Sequence, residues 1–151
     1  VAKYRAVDKE RALNIIEQLR RDEGWRNEAY QDSLGYWTIG CGFLIDARKG
    51  GHLDDEEIAW ILQHRIDKTA KRLSRELSWF SGISDVRKAA FLNMAYQLGV
   101  SGLLKFRHTL EYASQGRWDD CAREALDSAW SHQTPRRAQR VAKQITTGEW
   151  Q

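Results

Sequence analysis

Residues 23–42, EGWRNEAYQDSLGYWTIGCG, decide how the rest of the chain is read. Before them the spacing is helical; within them it is not. Over 8–23 Asp8 can cap an amphipathic helix, with Leu13, Ile16 and Leu19 or Arg20 at helical spacing. Gly24 stops it, since glycine accepts the left-handed conformation that follows a helix. Over 29–46 Tyr30, Tyr36, Trp37, Ile39 and Phe43 favour strands, and Asp32-Ser33-Leu34-Gly35 reads as a turn. A small antiparallel hairpin is expected, with a third strand near 44–47. Gly40 and Gly42 point to a close backbone approach by a ligand or another element.

This placement gives three side chains a chemical meaning. Glu23 falls in the last helical turn, where unpaired carbonyls disfavour a negative charge and suit a proton donor. Asp32 opens the turn, and Thr38 lies on the returning strand. Each has a plain alternative: a solvated helix-end Glu, an Asx-turn residue, an ordinary strand residue. Together, among aromatics and glycines, acid, acid and hydroxyl suggest a site that hydrolyses a sugar chain.

Outward from this stretch the pattern is helical. Arg48–His52 reads as a loop. Asp54, Asp55, Glu56 and Glu57 supply negative charge to a helix N-terminus rather than a cation site. Ile58, Ile61, Leu62, Ile66, Thr69, Leu73 and Leu77 then form a stripe on a helix of about 25 residues, long for a globular protein. Ser84 caps the next helix, which runs to Gly99 and is apolar nearly all round. Its Asn93 and Gln97 either line a cleft or bond core backbone. Short helical pieces over 102–116 precede a helix over 117–130, with Trp118, Cys121, Ala122, Ala125, Leu126 and Ala129 inward. Thr134-Pro135 starts the last helix, with Thr as cap and Pro at the first position; Gly148 ends it. Its Arg136, Arg137 and Arg140 either form a solvated face or reach acids of the first helix. One helix, a hairpin, a long helix and four or five more make an α+β fold, mostly α, with the sheet in a small N-terminal lobe. The expected division is a single domain with lobes over about 12–60 and 81–151, the first helix joining the latter and a helix over about 54–80 connecting them.

The totals set limits. With 42% apolar residues among 151, a packed interior is within reach. No apolar run approaches a membrane span, so no stable membrane insertion is expected. The chain opens on Val1, which leaves room for an upstream signal or anchor. A net charge of +3 suits an anionic surface such as a bacterial wall. No nucleic-acid motif accompanies it, and nucleic acid is not an expected partner. Cys41 and Cys121 form no C-x-x-C and read as buried free thiols. His52, His64, His108 and His132 are scattered, so neither a metal nor another cofactor is expected. A monomer is expected.

The chain resembles the lysozymes of the T-even bacteriophages and related phage endolysins, glycoside hydrolase family 24. The likeness lies in Glu23-Gly24, Tyr30, Asp32, Gly35-Tyr36, Thr38-Ile39-Gly40 and Gly42. It continues in Asn93-Met94, Gln97, Gly99, Phe106 and Arg117-Trp118-Asp119, and on through Trp130, Gln133-Thr134-Pro135, Arg137-Ala138 and Arg140-Val141 to Thr147-Gly148 and Trp150. It runs in order through almost the whole chain. The resemblance implies a lysozyme-like fold and hydrolysis of the β-1,4 bond between N-acetylmuramic acid and N-acetylglucosamine in peptidoglycan. It implies catalytic roles for Glu23, Asp32 and Thr38, and substrate contacts at Leu44, Tyr96, Gln97, Thr109 and Glu124. Glu124 is acidic where a neutral residue is expected, and Phe43 stands where many relatives carry a histidine. The resemblance also implies supporting pairs, Arg137 with Glu23 and Asp22 with Arg140. It implies an antimicrobial, cytolytic enzyme made in the host cytoplasm and acting in the periplasm or cell wall. Two other readings are a lytic transglycosylase on the same substrate, and a wall-binding module without catalysis.

Overall fold

A computed structural model describes residues 18, 20–44 and 53–151. Asp8, the stripe Leu13, Ile16 and Leu19, the end of the expected third strand (45–47), and the loop at 48–52 lie outside these residues. The chain divides into two compact units, Val1–Ile58 and Ala59–Gln151.

In the first unit residues 20–23 are helical, and Gly24 takes the expected positive φ of 83°. The sheet has three antiparallel strands in the order β1-β2-β3: Arg26–Gln31, Trp37–Gly40 and Phe43–Leu44. The expected hairpin is present, and β1 begins earlier than expected. Its polar start (Arg26, Asn27, Glu28) carries no period-2 apolar signal. Backbone pairing with β2, irregular between Arg26 and Tyr30, extends the strand there. Asp32 closes the β1–β2 turn. Its Oδ1 accepts from Leu34 N and Tyr36 N, each at 2.9 Å, and its carbonyl accepts from Gly35 N at 3.0 Å. This is the side-chain-to-backbone bonding that makes Asp a turn residue.

Helix α1, Asp55–Glu76, spans the division between the units. Its N-terminus is a reciprocal cap. Asp54 N donates to Glu57 Oε2 and Glu57 N to Asp54 Oδ1, both at 2.9 Å. The acidic run is therefore a cap matched to the helix dipole. Of the apolar stripe Leu73 is buried, whereas Ile58 and Leu62 are exposed.

The second unit continues through a 3₁₀ turn, Phe80–Gly82, to six helices: α2 Asp85–Leu98, α3 Val100–Leu103, α4 Arg107–Ser114, α5 Trp118–Leu126, α6 Ala129–Gln133 and α7 Pro135–Thr147. Ser84 Oγ accepts from Arg87 N and caps α2 as expected. α5 packs on α4 and α7, and α2 on α3 and α7. The core between them holds Phe91, Met94, Leu103, Cys121, Ala125, Trp130, Ala138 and Ile145. Each large side chain buried there contributes about 1.5–3 kcal/mol.

Two expectations are corrected. The helix expected over 117–130 is two helices, broken at Asp127-Ser128. Ser128 Oγ donates to Ala125 O at 2.7 Å and accepts from Ser131 N at 3.3 Å. It thus ends one helix and caps the next, a competition with the helical ladder that serine makes readily. The break leaves Leu126 and Ala129 exposed rather than inward. Pro135 stands at the start of α7, but the Thr134 hydroxyl makes no cap bond and donates back to Trp130 O at 3.1 Å. The α7 C-terminus has a partner far away in sequence. Arg87, lying 4.4 Å over the Trp118 ring, donates to Ile145 O at 2.9 Å and Thr146 O at 3.2 Å.

Candidate active site

The sheet of the first unit gathers the expected catalytic groups. Tyr36 O accepts from Asp32 N at 2.9 Å and from Thr38 Oγ1 at 3.3 Å. One carbonyl therefore ties the main chain of Asp32 to the strand hydroxyl. Thr38 is 5% exposed, and Tyr30 and Leu44 flank it in register. Directly opposite residues share a face of the sheet, with Cβ atoms about 4.5–5.5 Å apart. Leu44, itself 47% exposed, thus stands beside Thr38.

Glu23 meets the same sheet at the other end of β2. Its side chain lies against Gly42, where a Cβ would come within 2.9 Å of Glu23 Oε2. Gly42 has a φ of 72°, so both the backbone and the neighbouring carboxylate call for glycine. This is the close approach that the glycines imply. Gly40 serves a similar contact, with the Phe43 ring across it. Glu23 is exposed and Asp32 half-buried, so water and a ligand can reach both carboxylates. Asp22 Oδ1 accepts from Arg21 Nε at 3.2 Å.

In the second unit, Tyr96 and Gln97 are exposed on the last turn of α2. Gln97 Oε1 accepts from the Trp130 indole at 2.9 Å. Asn93, one turn earlier, is held by Arg137, whose Nε donates to Asn93 Oδ1 at 2.7 Å and Nη2 to Asn93 O at 3.1 Å. Among the described residues neither amide side chain bonds core backbone. Sequence spacing gives no sign of these partners, because each pair joins distant helices. Thr109 and Glu124 open on one pocket of about 380 Å³, which Lys105, Arg107, Asp127 and Ser128 also line. Thr109 is 1% exposed and Glu124 half-buried, so the acid offers the larger contact. Arg140 is exposed on α7.

Among the described residues no group of three His, Cys, Asp or Glu side chains could hold a metal ion. No described helix is long and apolar enough to cross a membrane. Neither cysteine forms a disulfide. Cys121 is buried as expected, but Cys41, in the β2–β3 turn, is partly exposed.

An acid, a turn carboxylate and a hydroxyl able to hold water are the working parts of a glycoside hydrolase. Residues 20–145 match the phage lysozyme family. Probable T4-type lysozyme 1 of Dictyostelium discoideum is 29% identical, over 89% of this chain and 95% of that protein. The pre-baseplate central spike protein Gp5 of Enterobacteria phage T4 is 31% identical, over 90% of this chain and 28% of its own length. Peptidoglycan hydrolase gp36 of Pseudomonas phage phiKMV is 27% identical, over 91% of this chain and 16% of its own. The chain belongs to the phage lysozyme family and is a glycoside hydrolase.

Proposed function

We propose that this peptidoglycan-hydrolysing lysozyme cuts the β-1,4 bond between N-acetylmuramic acid and N-acetylglucosamine, with inversion, and serves lysis of a bacterial host. The observation that carries the reading is the shared Tyr36 carbonyl, which joins Asp32 to Thr38 on the strand whose far turn seats Glu23. Glu23 is the general acid that protonates the leaving oxygen. Thr38 donates its own hydrogen to Tyr36 O, so its lone pairs remain for a water. That water donates one hydrogen to Thr38 and the other to Asp32. Its oxygen then faces the sugar carbon, and Asp32 takes the proton as the bond to the leaving oxygen breaks. A hydroxyl without a strong base beside it is a poor nucleophile, which favours water over a covalent intermediate.

Leu44, Tyr96, Gln97, Thr109 and Glu124 contact the glycan strand in this reading. Arg137, Asp22 and Arg140 support the acids. The net charge of +3 favours the anionic wall. The enzyme is a monomer, made in the host cytoplasm and active in the periplasm or cell wall. Similarity to the peptidoglycan hydrolase gp36 of the Pseudomonas phage and to the probable T4-type lysozyme 1 of Dictyostelium supports the reading.

Purified peptidoglycan digested by wild type and Glu23→Gln tests the proposal, with products read by mass spectrometry and by NMR of the new reducing end. Hydrolysed products with an α-configured new end are expected from wild type, and none from the variant. Anhydro-sugars, lighter by one water, would instead establish a transglycosylase. Undiminished clearing by Glu23→Gln would remove Glu23 as the acid.

A further inference from the structure

Helix α1 turns one side to the core through Leu73 and Leu77. At about 100° per residue, the opposite arc centres on Lys68 and carries Arg65, Lys71, Arg72 and Arg75, all exposed. These cations run from 65 to 75, about 15 Å along the axis. Exposed helix faces commonly mix signs, because a cation three or four residues from an acid is stabilised. Lys68 has no such acid. Its neighbours at those spacings are His64, Arg65, Lys71 and Arg72. Arg65 has Ile61, Leu62, Lys68 and Thr69. Among the described residues none of the five cations forms an ion pair. Asp67 accepts from Gln63 at 2.9 Å, and Glu57 closes the N-terminal cap. The helix dipole accounts for Arg75 in the last turn, but its effect fades beyond that turn. Arg65 and Lys68 lie two or more turns earlier, where like charges at these spacings destabilise the free helix. An anionic partner would offset that repulsion.

The N-terminal end of the stripe meets an aromatic ring. Trp60 is 69% exposed and stacked on His64, with ring centroids 5.6 Å apart. Trp60 and His64 continue the i, i+4 line that leads to Lys68. An exposed indole in line with cations matches the boundary of a bilayer. There, lipid phosphates come within reach of ammonium and guanidinium groups, and the ring settles among the head groups. A soluble phosphate polymer would satisfy the cations and leave the indole in water.

We propose that this face of α1 docks the protein on an anionic bilayer, with Arg65, Lys68, Lys71, Arg72 and Arg75 on lipid phosphates and Trp60 at the depth of the head groups. The helix lies on the surface and does not cross it, since no described helix is long and apolar enough to span a membrane. The proposal does not depend on which glycosidic bond is cut.

Co-sedimentation with phosphatidylcholine vesicles, with and without about one quarter phosphatidylglycerol, tests this at low ionic strength. Wild type should bind only the anionic vesicles and come off at about 0.5 M salt, where screening is nearly complete. Arg65→Gln combined with Lys68→Gln should bind about 30-fold more weakly. Arg136→Gln combined with Lys143→Gln removes the same charge from exposed positions of α7 and should stay within about threefold. Trp60→Ala should weaken vesicle binding at least about threefold and leave binding to long-chain polyphosphate unchanged. The Arg65/Lys68 variant should be no less stable in urea than wild type, having lost only repulsions at helical spacing, and should turn over soluble peptidoglycan fragments within about twofold of wild type. No binding by wild type, or equal losses in the two double variants, would overturn the proposal. Vesicle binding undiminished in Trp60→Ala would assign the stripe to a soluble phosphate polymer and overturn the bilayer. A less stable or less active Arg65/Lys68 variant would overturn it too, by showing that these cations serve the fold or the reaction.

Discussion

Gly42→Ala separates the placement of Glu23 from the strength of the fold. Gly42 has a φ of 72°, where a residue with a Cβ costs about 1–2 kcal/mol. The added carbon would meet Glu23 Oε2 at 2.9 Å, and ordinary contact begins at 3.4 Å. The carboxylate must retreat by about 0.5 Å, which a flexible side-chain end does at little cost in stability. Catalysis is less tolerant: misplacement by about 1 Å costs about 100-fold, so roughly tenfold is expected in kcat/KM. Gly116→Ala is the control. Its φ is 70°, with nothing within 4 Å of the added carbon and a position in the second unit. Urea denaturation and turnover on soluble peptidoglycan fragments would be measured for both. The control should lose about the same stability and keep its activity. Full activity in Gly42→Ala, at the expected loss of stability, would refute the claim that Glu23 works from its seat on this turn.

Two further outcomes concern the second unit. Arg87→Ala removes two charged hydrogen bonds to the end of α7 and a cation over Trp118. It should lower stability by about 2–3 kcal/mol in urea denaturation, and a loss below about 0.5 kcal/mol would deny Arg87 its capping role. Burial pushes the Cys121 thiol from 9.0 up to about 12. The fold favours the neutral thiol, so this contribution to stability is complete below pH 9 and is lost as pH rises toward 12. Iodoacetamide near neutral pH should label Cys41 and spare Cys121 until the protein unfolds, as read by mass spectrometry. Equal labelling of the two in the native protein would contradict this.

Features written in adjacent residues were legible in the sequence. Asp32 and its turn, Ser84 as a cap, Pro135 at a helix start, and Gly24, Gly99 and Gly148 as stops all act through bonds only a few residues long. What escaped acts over distance. Gln97 with Trp130, Asn93 with Arg137, and Arg87 with the end of α7 join residues 33, 44 and 58 positions apart. No periodicity records such pairs, since they exist only once helices pack. The break at Ser128 was missed for another reason. Serine is compatible with a helix interior as well as with a cap, and only its two backbone bonds decide between them. The catalytic candidates were legible as residue types at fixed spacing. That Asp32 and Thr38 hang from one oxygen was not, because the link runs through main chain.

That shared oxygen makes the hairpin a transplantable cassette. A graft that carries the strands and turn from a relative would bring Asp32 and Thr38, the proposed base and water-holding alcohol, tied to the same main-chain oxygen. Only the fit between its second turn and the incoming acid would then need to be redesigned.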